Sequence, residues 1–324
     1  MKLIDIYSRV KKDLNAVEKE LETSVYSDVG LLREASVHLL KAGGKRIRPI
    51  FVLLSGEFGR YDLNRLKKVA VPLELIHMAS LVHDDVIDDA ETRRGQLTVR
   101  SKWDNRIAMY TGDYIFGRAL DVITELGDPE IHRIMSRAIV QMSIGEMEQV
   151  RFFFHTEQTI RDYLLRIKRK TALLIAVSCQ LGALAAGASK ETAERLYSYG
   201  FNVGMAFQIR DDLLDLSGTE EQIGKPPGSD IKQGNLTLPV LFALCDPKLR
   251  GLLLEEIERI RLADGQTDVS RFLDVIRSSE GLVEAEKLAD RYIDKAIEHL
   301  SPLPDCQARR DLIGVAHFVG ERSY

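Results

Sequence analysis

The chain has 324 residues, 45% hydrophobic and 29% charged, with only 9 prolines and one tryptophan, a composition that fits a globular protein rich in helix formers and speaks against disorder. Its formal net charge of -4 gives no global basic field, which excludes nucleic acid as the main partner. The three cysteines, Cys179, Cys245 and Cys306, show no CxxC or CxxH spacing, so neither a disulfide framework nor a structural zinc site is expected, and a reducing cytoplasm fits best.

The opening stretch MKLIDIYSRVKKDLNAVEKELE alternates apolar and charged residues at helical spacing and lacks the apolar centre of a signal peptide, so a helix is expected there rather than an export signal. Glycine and lysine break the pattern at Lys41 to Arg46. Helical spacing follows over Glu74 to Asp89, stops at Glu125 to Pro129 and returns over Ile131 to Phe154. Thr171 to Ala188 carries no charge and follows the basic run RIKRK. It is barely long enough to cross a bilayer, and its Ser178, Gln180 and two glycines would sit unpaired in lipid, so a buried central helix is expected. After a break at Gly187 to Lys190, helices are expected over Thr192 to Leu216 and Val283 to Leu300, with further breaks at Ser217 to Gly234 and Ser301 to Asp305. Strand signals are nearly absent. The longest break, SGTEEQIGKPPGSDIKQG, reads as a functional lid, which leaves one all-α domain over residues 1–324.

Two helix ends carry the chemistry. His83-Asp84-Asp85-Val86-Ile87-Asp88-Asp89 closes an apolar helix and stacks Asp84 on Asp88 and Asp85 on Asp89. Like charges at that spacing repel, and the macrodipole is already negative at a helix C-terminus, so the cluster gains only when cations neutralise it. Carboxylate oxygens call for magnesium or calcium. One such cluster is equally explained by a solvated helix end. A second, Gln208-Ile209-Arg210-Asp211-Asp212-Leu213-Leu214-Asp215, repeats the Asp-Asp-x-x-Asp spacing at the end of another apolar helix. The repetition favours two helix ends that share a diphosphate through metal ions.

Cations stand nearby in sequence. In Gly43-Gly44-Lys45-Arg46-Ile47-Arg48-Pro49 the glycines permit a sharp turn and Pro49 suits a first helical turn, which puts Lys45 and Arg48 beside its positive end. Glu91-Thr92-Arg93-Arg94-Gly95 places two guanidiniums just after the first aspartates, either gripping diphosphate oxygens in paired hydrogen bonds or forming local salt bridges to aspartate.

GGKRIRP, HDDVIDDAETRRG, KTALL and FQIRDDLLD, in this order over nearly the whole chain, resemble the trans-isoprenyl (polyprenyl) diphosphate synthases. That resemblance implies a single bundle of long antiparallel helices around a deep central cavity, the isoprenoid synthase fold. It implies a transferase that condenses isopentenyl diphosphate with an allylic diphosphate. Lys45, Arg48, His77 and Arg94 would take the isopentenyl diphosphate, and Arg93, Lys170, Thr171, Gln208 and Lys225 the allylic one. Asp84, Asp88 and Asp211 would hold magnesium, about three ions per site with the substrate diphosphate, and Asp85, Asp212 and Asp215 would support them. The released diphosphate, rather than a protein base, would take the final proton.

The helix leading into the first aspartates would line the growing chain. Ser80 and Ala79, four and five residues earlier, are small and would let it pass where an aromatic side chain would stop it about one turn below the metals; small residues there would equally serve close helix packing. The GNLTLPV form, with Asn235 where many relatives have lysine, is similar to the larger component of two-part bacterial members of the family. This implies a heptaprenyl product made from farnesyl diphosphate for a menaquinone side chain, and a dimer, either a homodimer or a heterodimer with a small regulatory subunit, with at most peripheral membrane contact for product release. The alternatives are a class I terpene cyclase, a shorter-chain geranylgeranyl or farnesyl diphosphate synthase, and a non-catalytic helical scaffold.

Overall fold

The computed structural model describes residues 3–223, 226–263 and 265–321. Helices run in chain order as α1 (Leu3–Ser24), α2 (Gly30–Lys41), α3 (Ile47–Gly56), α4 (Leu63–Ile87), α5 (Val99–Lys102), α6 (Asn105–Thr124), α7 (Pro129–Arg151), α8 (Ile160–Ile167), α9 (Leu173–Ala185) and α10 (Lys190–Ser217). They continue as α11 (Glu220–Ile223), α12 (Ser229–Lys232), α13 (Leu238–Leu244), α14 (Pro247–Leu262), α15 (Ser270–Arg277), α16 (Gly281–Leu300) and α17 (Gln307–Gly320). Among the described residues the β-structure is a two-residue hairpin, β1 (Thr92–Arg93) with β2 (Gln96–Leu97), paired antiparallel. The class is all-α, and the expected breaks fall between helices, except that α11 and α12 form inside the one expected over Ser217 to Gly234. No described helix is long and apolar enough to cross a membrane.

The chain divides into two compact units. The first comprises Met1–Ile139, Val177–Tyr197 and Pro302–Gly314. Its centre is α4, whose buried residues include Leu66, the run Val69 to Ile76, Met78, Ala79 and Val82. Such a helix is apolar around most of its circumference and belongs in a core. It packs on α1, α3 and α6. α6 comes close because Gly112 has no side chain, since a Cβ there would lie 2.3 Å from His83 Nε2.

Arg46 fixes the loop before α3. It is 6% exposed and adopts a left-handed backbone with φ 47°. Its Nε and one terminal nitrogen donate to the two oxygens of Glu18, each at 2.7 Å, and the other donates to Glu74 at 3.1 Å. A third acceptor, the Leu40 carbonyl, lies at 3.3 Å. Glu74 is itself buried at 3% exposure, so its charge depends on this partner.

The second unit comprises Val140–Ala176, Ser198–Ser301 and Val315–Tyr324. Its part of α10 carries Met205, Ile209, Leu213 and Leu216 into a core shared with Tyr163, Ile167, Leu236, Leu241 and Phe272. Arg210, inside the second aspartate motif, turns the other way and ties α10 to α16 through Glu286 at 3.0 Å and Asp290 at 2.5 Å. Between α8 and α9 the chain makes a π-helical turn over Lys168–Ala172. Glycines admit it. A Cβ on Gly204 would lie 2.6 Å from Ala172 Cα, and one on Gly145 would lie 2.7 Å from Arg169 Cβ.

Arg46→Ala leaves Glu74 charged, buried and unpaired, and is expected to lower unfolding free energy by about 3–5 kcal/mol. Lys45→Ala, on the exposed side of the same loop, is expected to cost within about 0.5 kcal/mol. Urea titrations of the two variants check this, and equal losses would contradict it.

Candidate active site

In the first unit α4 ends at the aspartates. Asp88 caps the helix and its N–H donates to the Asp84 carbonyl at 2.8 Å, after which Asp89 turns the chain with φ 49°. Asp85 is 2% exposed and accepts from two nitrogens of Arg93 at 2.8 and 2.7 Å. Burial pushes its carboxyl up and Arg93 pulls it back. The local salt bridge considered from sequence is therefore formed by Arg93, while Asp89 meets Arg100 at 2.8 Å.

The hairpin then reverses through Arg94 and Gly95, with φ of 54° and 74°. Positive φ at both central residues is what a two-residue type I′ hairpin requires. It brings Arg94 against the glycine loop, where a Cβ on Gly44 would lie 2.7 Å from an Arg94 terminal nitrogen. Gly44 thus leaves the space that Arg94 fills.

The cations converge on His77. Burial lowers this imidazole well below its ordinary value, and Arg48, Arg94, Arg93 and Arg46 push it further. It is neutral at pH 7. Burial also pushes Arg48 down to about 10, with Glu74 opposing and Arg94 assisting. Its buried Nε has no hydrogen-bond partner among the described residues. Carboxylates hold Arg46 and Arg93. None of the described ion pairs includes Arg48 or Arg94. An oxyanion would supply what they lack, since a buried donor left unmade costs about 1–3 kcal/mol. Ala79 is fully buried on α4, and the Ser80 hydroxyl donates to the His77 carbonyl at 2.9 Å.

In the second unit Asp212 and Asp215 accept hydrogen bonds from neutral donors. Asp211 is exposed, whereas Asp212 and Asp215 are 3% and 2% exposed. Tyr163 Oη donates to Asp212 Oδ2 at 2.6 Å and Gln208 Nε2 to Oδ1 at 2.8 Å. Thr171 Oγ1 donates to Gln208 Oε1 at 2.7 Å. Burial pushes Asp212 up to about 7, although both donors pull it back. Asp215 accepts from Ser229 Oγ at 2.6 Å and from the Asp230 N–H at 3.1 Å, which secures the chain entering α12. Lys170 pairs with Glu146 at 2.8 Å. Lys225 lies outside the described residues.

Sequence spacing left three participants unnamed. Arg46 sits inside the basic motif but serves the fold. Glu146 stands among other polar residues of α7 with no motif to single it out. Tyr163 precedes Thr171 by eight residues, about 80° apart on a regular helix, so its shared face is hidden until the π turn is known.

Among the described residues no three His, Cys, Asp or Glu side chains form a ready-made metal cage. Magnesium does not demand one, because it keeps several waters and takes one or two carboxylates together with substrate phosphates. The carboxylates of Asp84, Asp88 and Asp211 fit it as hard oxygen donors, and the unmatched Arg48 fits the accompanying phosphate.

The polyprenyl synthetase family model matches residues 29–274. The chain belongs to that family and is a prenyl transferase. It is 53% identical to "Heptaprenyl diphosphate synthase component 2" of Geobacillus stearothermophilus over all of both chains. Against the protein of that name from Bacillus subtilis (strain 168) it is 50% identical, covering 100% of this chain and 92% of the relative. Among solved structures, heptaprenyl diphosphate synthase from Staphylococcus aureus aligns with a TM-score of 0.89 and 39% identity over 97% of this chain and 98% of that one. Polyprenyl synthase from Caulobacter crescentus CB15, solved with calcium and isoprenyl diphosphate, aligns with a TM-score of 0.91 and 32% identity over 99% and 98%. The fold is the isoprenoid synthase fold of these enzymes.

His77 gives a pH signature. The unfolded imidazole titrates near 6.5 and the folded one well below. The unfolded state therefore binds the proton more readily, and stability falls as pH drops through about 6.5. Asp212, raised on folding, acts in the opposite direction, so the readable quantity is a difference. His77→Gln is expected to flatten the acid-side loss between about pH 7 and 5 in chemical unfolding, and an unchanged slope would count against it.

Proposed function

We propose that this chain is the catalytic component of a heptaprenyl diphosphate synthase, condensing isopentenyl diphosphate with farnesyl diphosphate for a menaquinone side chain. The observation that carries the reading is the unmatched Arg48 and Arg94 around a neutral His77, beside the carboxylates that end α4. Cations that no described ion pair neutralises, next to clustered carboxylates, suit a metal diphosphate, which presents both signs at once. Residues 1–324 act as one synthase domain in the cytoplasm, paired with a small regulatory subunit or with a second copy.

In this reading Asp84, Asp88 and Asp211 hold magnesium, and bound magnesium neutralises charge developing on the departing diphosphate. Lys45, Arg48, Arg94 and His77 grip the isopentenyl diphosphate, His77 as a neutral N–H donor. Arg93, Lys170, Thr171, Gln208 and Lys225 take the allylic diphosphate. For Arg93 and Lys170 this means exchanging Asp85 and Glu146 for phosphate oxygens. Once that exchange is made, donors held in place stabilise the ionising state without reorganising further as the bond breaks. Isopentenyl diphosphate supplies the attacking double bond, and the proton lost from the new chain goes to the released diphosphate.

Product analysis tests the function. With isopentenyl diphosphate, farnesyl diphosphate, magnesium and a motif-free small subunit from a related synthase, heptaprenyl diphosphate is the expected main product. Asp84→Ala and Asp211→Ala are expected to lower turnover at least about 10²–10³-fold with helix content kept. Full-rate heptaprenyl synthesis by the chain alone would overturn the heterodimer, and product formed without isopentenyl diphosphate would overturn elongation.

Product length tests the α4 residues. Ser80→Phe is expected to shift the chromatographic profile to shorter prenyl chains, because the ring adds bulk about one helical turn below the carboxylates. An unaltered product length would remove Ala79 and Ser80 from the role of floor.

A further inference from the structure

The second unit contains a hydrogen-bond chain that reaches beyond the aspartate motif. Gln208 and Asp212 stand four apart on α10 and so share a face. Opposite them stand Thr171 and Tyr163, eight apart. About 3.6 residues of α-helix and about 4.4 of π-helix add to about 8, two whole turns. The π turn at Lys168–Ala172 thereby puts Tyr163 and Thr171 over one another, and each meets one member of the α10 pair.

Every link has a direction. Thr171 donates to Gln208 Oε1, which leaves Nε2 to donate to Asp212 Oδ1, and Tyr163 donates to Oδ2. A flip of the Gln208 amide would keep a bond to the Thr171 hydroxyl, which can also accept, but would turn the amide oxygen onto Asp212 Oδ1 and lose that one. Tyr163 is 1% exposed, and Arg166 lies over its ring at 5.5 Å. Arg166 is anchored in turn by Gln158 Oε1 at 3.2 Å and the Leu236 carbonyl at 3.1 Å. The phenol is therefore held on a rigid support. A carboxylate offers about four acceptor positions, so Asp212 keeps room for a metal-bound water while its orientation is fixed.

We propose that Tyr163 is a positioning residue for prenyl transfer, whose hydroxyl fixes the Asp212 carboxylate and so presets Gln208 and Thr171 for the allylic diphosphate and its magnesium. This rests on the synthase reading above. It adds a residue outside the aspartate, basic and Lys170-Thr171 motifs. Partners that orient metal-site groups from behind typically matter about 10–100-fold in affinity or activity.

Calorimetric titration of magnesium with inorganic diphosphate into wild type and Tyr163→Phe is the direct test, with steady-state KM values for both substrates beside it. Tyr163→Phe is expected to bind magnesium diphosphate about 10-fold more weakly. Its KM for the allylic diphosphate should rise, with KM for isopentenyl diphosphate held within about twofold. Adding Tyr163→Phe to Asp212→Asn should change binding no further. That double variant removes the buried charge with its donor, so it keeps the test readable where the single change loosens the fold. A lower melting temperature with unaltered magnesium diphosphate affinity would mark a structural tyrosine and overturn the proposal, as would additive losses in the cycle. Wild-type protein that binds no magnesium diphosphate would overturn the synthase reading itself, and the tyrosine proposal with it.

Discussion

The guanidinium of Arg46 neutralises Glu74 inside the first unit, and the cationic site is arranged around that contact. Held by Glu18, Glu74 and a carbonyl, it keeps the chain in a left-handed turn before α3. With Glu74 engaged in this way, Arg48 and Arg94 have no carboxylate of their own among the described ion pairs. Repulsion among them is strong in a low-dielectric setting. It is felt at His77, which stays neutral, and at Arg48, whose own charge is made less favourable. The fold thus spends its buried carboxylate on one arginine and leaves its neighbours ready for an anion.

The two aspartate clusters share a spacing and differ in their supports. In the first, the second aspartate is held by a charged group, Arg93. In the second, the corresponding Asp212 is held by a phenol and an amide, and Asp215 by a serine and a backbone N–H. Neutral donors orient a carboxylate without cancelling its charge. At Asp212 burial makes that charge less favourable, pushing the carboxyl up to about 7, whereas Arg93 has a charged bond to exchange before it meets phosphate.

Much of this was legible in the sequence because it follows from periodicity. The long helices, the breaks between them and the placement of both aspartate runs at helix ends come from apolar spacing and from Gly and Pro. The side-chain commitments do not. GGKRIRP announces three cations, but which one the fold consumes depends on Glu18 and Glu74, 28 residues away on either side. The hairpin was hidden because its strands are two residues each and its turn uses Arg94, a residue rarely chosen for positive φ. Tyr163 was hidden for a different reason: a helical wheel assumes one pitch, and here the pitch changes.

That change of pitch has a consequence for how this stretch tolerates alteration. Within Lys168–Ala172 the number of residues and the pitch are matched, and together they set the angle at which everything after the turn faces. A side chain exchanged there disturbs its own contacts. A return to ordinary pitch with every residue kept would leave Thr171 about 80° from the tyrosine before it, whereas losing one residue as well would set them seven apart and within about 20° of one face. The turn therefore behaves as a place where one extra residue is absorbed, and straightening it at constant length would disturb the site more than shortening it by one.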